Sequence, residues 1–398
     1  MSYEMSKLAG RLVSSEIREL LKMTRKPGVI SFGGGLPDPA LFPVDDIIQI
    51  TEQVLREKGY LALQYGPTIG EPEFIEALVQ HQADFGEVVA PEQVCVTSSS
   101  QQGIDLLTLL FLDENSPVVL EKPSYLGSIQ AFRRAGADMR GVPMDDDGLR
   151  TDLLEEVLDQ IEKEGKRARF IYVIPDFQNP AGVSMSMERR GHLLRIAEAR
   201  NIPIVEDSPY RELTFAGEPL PSLWTLAKGR GIIGMKTFSK MLFPGMRMGW
   251  LQGEPELITK IAMVKQSVDL CTPSFTQLIL AEFIRRGRMR KGIEASRECY
   301  RPKLEAMLEA LKTHMPEGVT WSTPGGGMFL WVRLPEQVDA KAIFPQAIEN
   351  KVAYVIGKAF HCDGSGHNSL RLNYSFPSVE QIREGIRRLA TVIKQALT

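Results

Sequence analysis

Cysteine and histidine are scarce. Four cysteines (Cys95, Cys271, Cys299, Cys362) and five histidines are scattered over 398 residues. Isolated thiols make no disulfide framework, and with no CxxC pair and no histidine cluster the chain offers no metal-ligand set. An excess of one charge is missing too. The 47 basic and 50 acidic residues leave a net of −3, with no basic stretch to follow a phosphodiester backbone. No apolar run reaches the roughly 18 residues needed to cross a bilayer, and the opening MSYEMSKLAGRLVSSEIREL has no apolar signal core. Neither nucleic acid nor membrane is therefore expected as a partner, and the expected compartment is the cytoplasm. Internal repeats and low-complexity segments are absent as well.

What is present is the composition of an ordinary globular protein, 43% hydrophobic and 24% charged, which excludes disordered and fibrous classes. At about 150 residues per domain the length predicts two or three domains, or one large unit with a satellite. Short β-branched runs at 94–97, 118–121, 170–174, 202–206 and 232–237 alternate with amphipathic stretches at 101–112, 124–135, 152–164 and 186–200. That rhythm predicts an α/β fold with a mostly parallel sheet, because helices of this length connect parallel strands. From about Pro255 long helices take over (256–268, 275–285, 291–312). A strand pair near 319–322 and 328–332 follows, then a closing helix from Ser378, where Gln381 completes a capping-box pattern. The expected organisation is an arm (1–44) holding a short helix at 15–24, a large domain (45–285) and a smaller α+β domain (286–398). The arm is too small to fold alone, so it packs on the smaller domain or on a partner subunit, and the expected small domain is assembled from both chain ends, the arm joining 286–398.

Four clusters fall at the carboxyl ends of expected strands, where open parallel sheets place their ligands. Thr97–Gly103 (TSSSQQG) puts hydroxyls and free amides at a helix start, suited to an anion such as phosphate. Asp176–Gly182 (DFQNPAG) offers the amide of Asn179. Glu206–Tyr210 (EDSPY) places Asp207 at the end of an apolar strand, where a carboxylate implies a nearby cation or donor. Thr237–Trp250 (TFSKMLFPGMRMGW) carries Lys240, with Arg247 seven residues on. Taken singly, each has a plainer reading: a serine N-cap, a surface turn, a surface lysine. Together they supply an amine with reason to be desolvated, an anion cradle, a carboxylate and several donors. Pyridoxal 5'-phosphate needs that set: a lysine for its aldehyde, a phosphate clamp, a carboxylate at the ring nitrogen and donors to the phenolate.

On these motifs the sequence resembles the fold-type-I, pyridoxal-phosphate-dependent class I/II aminotransferases from about Arg18 onward. Within them it is most similar to the 2-aminoadipate and kynurenine branch, through SFGGGLPDPALFP at 31–43, LQYGPTIGEPEF at 63–74, SSSQQGIDL at 98–106 and SLRLNYS at 369–375. The resemblance implies an aspartate-aminotransferase-like fold with a seven-stranded type of sheet. It makes Lys240 the Schiff-base lysine and proton shuttle, Asp207 the partner of the pyridine nitrogen, and Tyr125 the ring-stacking residue. Asn179 and Tyr210 would contact the phenolate. Ser100, Gln101, Thr237, Ser239 and Arg247 would hold the phosphate, joined by Tyr65 from a neighbouring subunit of a homodimer with shared sites. Arg371 would bind the substrate α-carboxylate, Gly34 and Gly35 would let the arm approach the substrate, and Arg18 would meet a distal acid. Two departures, Thr237 for a usual serine and Ser208 for a common second aspartate, leave the chemistry intact.

The activity this implies is transamination between an L-amino acid (2-aminoadipate, aromatic or aliphatic) and a 2-oxo acid such as 2-oxoglutarate, by a ping-pong mechanism. β-Elimination or racemisation would use the same cofactor, since groups around the substrate Cα decide between them. A non-catalytic regulatory module is a third reading, disfavoured by the near-neutral charge and by the expectation that no DNA-binding segment precedes the arm. A nicotinamide enzyme is disfavoured because Gly33–Gly35 does not continue as GxGxxG.

Overall fold

A computed structural model describes residues 3–12 and 27–397. In chain order the strands are β1 (Ile30–Ser31), β2 (Val94–Thr97), β3 (Pro117–Lys122), β4 (Asp138–Asp145), β5 (Gly148–Leu149), β6 (Ile171–Val173) and β7 (Ile204–Asp207). They continue with β8 (Ile232–Thr237), β9 (Gly249–Gln252), β10 (Thr320–Trp321), β11 (Phe329–Arg333), β12 (Val352–Ala353), β13 (Val355–Ile356) and β14 (Ser369–Asn373).

The large sheet has the order β2-β9-β8-β7-β6-β3-β4-β5. Neighbours from β8 to β4 run parallel, β9 is reversed against both β8 and β2, and β5 is a two-residue return on β4. It is thus the expected seven-stranded, mostly parallel sheet with one short strand added at its edge. Helices Ser99–Phe111, Leu126–Ala135, Thr151–Lys163 and Met187–Ala199 make the crossovers. Because helices cover both faces, β2, β6, β7, β8 and β9 are buried along their whole length, which is why they read as continuous apolar runs.

Two boundaries differ from expectation for visible reasons. The strand expected at 170–174 stops at Val173, since the Ile174 amide turns to donate to Glu121 Oε2 at 3.1 Å. The strand expected from 202 begins at Ile204, because the Ile202 amide is used in closing the preceding helix on Ala197 O. Helices Val44–Ala62 and Pro72–Asp84 and strands β4 and β9 were not anticipated from the patterning.

The second sheet, β10-β11-β14-β13, is antiparallel. Helices Arg288–His314 and Val379–Leu397 pack on each other beside it. The capping box is formed: Gln381 N donates to Ser378 Oγ and Ser378 N to Gln381 Oε1. The arm's β1 pairs in parallel with β12, Ile30 opposite Val352. Phe32 is fully buried in a cluster with Ile382 and Ile386, a burial that contributes about 2–3 kcal/mol to seating the arm. The helix expected at 15–24, with Arg18, lies outside the described residues. Among the described residues no helix is long and apolar enough to cross a membrane, and no group of three or more His, Cys, Asp or Glu is placed to hold a metal ion.

Candidate active site

The carboxyl ends of the parallel strands open into a cavity lined by Ser99, Ser100, Gln101, Tyr125, Ile174, Asn179, Asp207, Pro209, Tyr210, Thr237, Ser239, Lys240 and Arg247. One end is built for an anion. The first turn of helix Ser99–Phe111 presents amides that no side chain caps, so its positive end faces the cavity. Arg247 reaches across from the other side, donating to Ser99 Oγ and, at 3.4 Å, to Ser239 Oγ. The Thr237 hydroxyl donates to Met248 O at 2.9 Å and accepts from Ser239 N at 3.1 Å, which makes it the brace of the Ser239 turn. Gly249 allows this closeness. A Cβ there would lie 2.8 Å from Ser100 N and 2.7 Å from Lys236 O, well inside contact distance.

The opposite end is acidic and dry. Strand alternation sends Asp207 into the cavity and Glu206 to the other face of the sheet, where Glu206 accepts the Leu223 and Trp224 amides. Asp207 Oδ2 accepts from the Tyr172 hydroxyl at 2.5 Å, and its buried Oδ1 has no partner. Desolvation raises its pKa to about 7, against the lowering effects of the Tyr172 bond and of Lys240. The cation expected beside Asp207 is therefore no salt bridge within the chain: among the described residues Lys240 acts on it only through space. A buried, half-satisfied carboxylate is a receptor for a cationic N–H.

Lys240 lies between these ends. Its Nζ donates to Gly35 O at 2.9 Å. Desolvation, then repulsion from Arg371 and Arg247, lowers its pKa to about 8, so about a tenth of the amine is neutral and nucleophilic at pH 7, against fewer than one in a thousand for an ordinary lysine of pKa about 10.4. Asn179 is shared: its Nδ2 donates to the Tyr210 hydroxyl at 3.3 Å, and its Oδ1 accepts from Arg371 Nη1 at 2.8 Å. Arg371 Nη2 donates to Gly33 O at 3.0 Å, while its buried Nε has no partner. The guanidinium is stacked against Phe329 at 4.1 Å and Phe360 at 5.0 Å. Burial lowers its pKa to about 10, still charged at neutral pH. A flat, desolvated fork with unspent donors suits a carboxylate.

Ten residues singled out in the sequence thus share one cavity, and Arg371 joins them through Asn179. Gly35 abuts Lys240: a Cβ there would meet Phe329 Cζ at 2.9 Å. A Cβ at Gly34 would meet Leu36 first, at 3.5 Å. Tyr65 is 79% exposed and outside the lining of its own chain. Sequence reasoning missed Ser99, Tyr172 and the Phe329/Phe360 pair. Ser99 belongs to the serine run already noted, whereas Tyr172 and Phe360 carry no local signal. It also missed Glu121, pushed by burial to about 8, which accepts from Gln178 Nε2 at 2.9 Å beneath the Asn179 loop.

The pieces fit pyridoxal 5'-phosphate. An anion cradle, a reactive amine, a carboxylate with a free buried oxygen and an amide–phenol pair line one cavity, each at a place where that cofactor has the complementary group.

A model of the family "aminotransferase class I and II" matches residues 28–389. The aromatic-amino-acid aminotransferase 1 of Thermococcus litoralis is 43% identical over 385 residues, covering 96% of this chain and 92% of its own. Among solved structures, the Pyrococcus horikoshii kynurenine aminotransferase in complex with PMP superposes with a TM-score of 0.95 at 41% identity, covering 99% of this chain and 98% of its own. The α-aminoadipate aminotransferase of Thermus thermophilus, complexed with N-(5'-phosphopyridoxyl)-L-leucine, gives a TM-score of 0.90 at 42% identity with the same coverage.

Proposed function

The chain belongs to the class I and II aminotransferases, and we propose that its donors are aromatic amino acids and 2-aminoadipate, with 2-oxoglutarate as acceptor. It is a pyridoxal-phosphate-dependent aminotransferase of the aspartate-aminotransferase fold, and it exchanges amino groups between amino acids and 2-oxo acids. The observation that carries the substrate reading is the Arg371 fork, held between two phenyl rings beside the Lys240 amine. It asks for a carboxylate next to an apolar group. Ile174, Pro209 and Phe329 supply an apolar wall. The distal acid of an aminoadipate-like substrate is assigned to Arg18.

When bound, the cofactor supplies an aldehyde carbon for the amino group and a ring that accepts electron density from Cα. The chain's residues do the rest. Arg371 binds the α-carboxylate and fixes which face of Cα meets Lys240. The Lys240 amine, once released, takes the Cα proton and returns it one carbon away, a task suited to a group near pKa 8. Asp207 keeps the ring nitrogen cationic, and Asn179 and Tyr210 donate to the phenolate. Tyr125 covers the ring. The first turn at Ser99–Gln101 holds the phosphate together with Ser239, the Thr237 turn and Arg247.

The second subunit enters the same reading. Phe42, Val44, Ile47, Ile48 and Leu55 form an apolar groove with the Phe243–Met246 turn just before Arg247, and Tyr60, Leu63 and Tyr65 stand exposed nearby in sequence. Apolar surface of this extent marks an interface. We assign it to a homodimer in which Tyr65 completes the partner's phosphate site. The division 45–285 and 286–398, with arm 1–44 on the second unit, and a cytoplasmic location belong to this proposal.

The deciding experiment is a panel of amino donors with 2-oxoglutarate, read by loss of the cofactor's visible band in single turnover. Aromatic donors and 2-aminoadipate should react fastest, and steady-state plots should be parallel. Lys240→Ala should lower turnover by at least about a thousandfold. Sustained turnover by that variant would refute the assignment, and release of pyruvate and ammonia from cysteine without any oxo acid would favour elimination.

A further inference from the structure

Two cations of the site reach the main chain of the arm, Arg371 in addition to its bond with Asn179 Oδ1. Lys240 ends on the main-chain carbonyl of Gly35 and Arg371 on that of Gly33, so their placement depends on whatever holds segment 33–35. The near end of this segment is fixed by the sheet: Phe32 N donates to Ala353 O at 2.8 Å and Asn373 N to Phe32 O at 2.9 Å. The far end rests on Lys303, in the middle of helix Arg288–His314. Its Nζ donates to Asp38 Oδ2 at 2.6 Å and to Ser375 O at 2.9 Å, while Ser375 Oγ donates to Leu36 O at 2.8 Å. Asp38 N adds a bond to the Tyr300 hydroxyl at 3.1 Å.

Lys303 is only 7% exposed and Ser375 is fully buried. A buried ion pair contributes little net stability, because desolvation offsets attraction, yet removal of one partner is costly. Packed apolar side chains would close this gap between helix and arm more cheaply. What the charged pair adds is a fixed point. Segment 33–35 is spanned between two anchors, with carbonyls aimed at Arg371 and Lys240.

We propose that Lys303 is a positioning residue. Through Asp38 and Ser375 it sets the height of the arm carbonyls, and thereby the plane of the Arg371 fork. The inference rests on the role given above to Arg371. It predicts a selective defect, because the phosphate cradle lies at the other end of the cavity and does not touch the brace.

The test uses the holoenzyme and the unreactive carboxylate 3-phenylpropionate, titrated by the change in the cofactor's absorbance. Lys303→Met should weaken the probe at least tenfold, raise KM for donor and acceptor alike, and leave kcat and cofactor affinity within about threefold. Lys303→Arg should restore most of the affinity. Ser375→Ala, which removes the bond to Leu36 O and the one accepted from Asn373 Nδ2, should weaken the probe about threefold, and it carries the test if Lys303→Met does not fold. Arg371→Lys serves as the control for the clamp. If Arg371→Lys weakens the probe while Lys303→Met and Ser375→Ala lose only thermal stability, the brace is refuted and the clamp stands. If Arg371→Lys leaves the probe unchanged, the clamp fails and the brace falls with it.

Discussion

Asp207 is costly to the empty protein and useful to the loaded one. Its folded pKa of about 7 lies above the ordinary carboxyl value, so the folded state holds a proton that the unfolded state releases. Stability from this group is then full below pH 4 and declines as pH rises through 7. Without cofactor at pH 8, Asp207→Asn should melt roughly 2–4 °C above the parent. With cofactor the order should reverse, because only the carboxylate pairs with a cationic ring nitrogen. Calorimetry at pH 4 and 8, with and without cofactor, checks this, and an unchanged order on loading would contradict it. Lys240 titrates the opposite way. In the apoenzyme its acylation by an amine-directed reagent should rise to a midpoint near pH 8, while surface lysines continue to gain reactivity up to about pH 10. Both residues were legible in the sequence because a charge at the end of an apolar strand demands an explanation. Tyr172 and Lys303 were not. Tyr172 reads as one more core aromatic and Lys303 as a helix-surface lysine, and the partners that change this, Asp207 and Asp38, lie 35 and 265 residues away.

At the level of elements, legibility follows burial. Strands covered on both faces, such as β2 and β8, were found with the right ends because their sequences, VCVT and IIGMKT, are nearly all apolar or β-branched. Strand β4 was missed because DMRGVPMD lies near the sheet edge with most of its residues half-buried, and it keeps polar side chains. Strand β9 escaped notice although its first residue decides how closely the phosphate-facing helix can approach. Gly249→Ala should therefore weaken cofactor binding tenfold or more, since the added methyl must displace the main chain of Ser99–Ser100. Gly191→Ala, on helix Met187–Ala199, would meet only the end of Arg195 at 3.6 Å and should leave cofactor affinity unchanged. Cofactor affinity by fluorescence quenching distinguishes the two, and equal affinities would mean that the helix shifts without consequence for the phosphate.

For the molecule as a whole, the dimer is the feature most open to test. Ile48 is 59% exposed at the centre of the apolar groove. Ile48→Glu should halve the mass measured by light scattering and lower cofactor affinity about tenfold through loss of the partner's Tyr65. A wild-type chain that scatters as a monomer would remove the basis for this. The change of rhythm near Pro255 was legible, and it falls just after β9, the last strand of the large sheet. That the arm joins the smaller domain was expected, although β1 is two residues long and has no periodicity of its own. Its pairing has a consequence for synthesis. Ile30 leaves the ribosome early, while its partner Val352 follows roughly 320 residues later, about 16 to 64 s at 5–20 residues per second. Late in that interval, once Arg247 has been made, the nascent chain already holds Lys240, Asp207 and the phosphate turn, but neither Gly33 nor Gly35 has been brought to its cation. Competence therefore arrives only with the last tenth of translation, and a stop between β9 and β14 should release a chain that keeps the cofactor-facing residues but lacks Arg371 to orient a substrate.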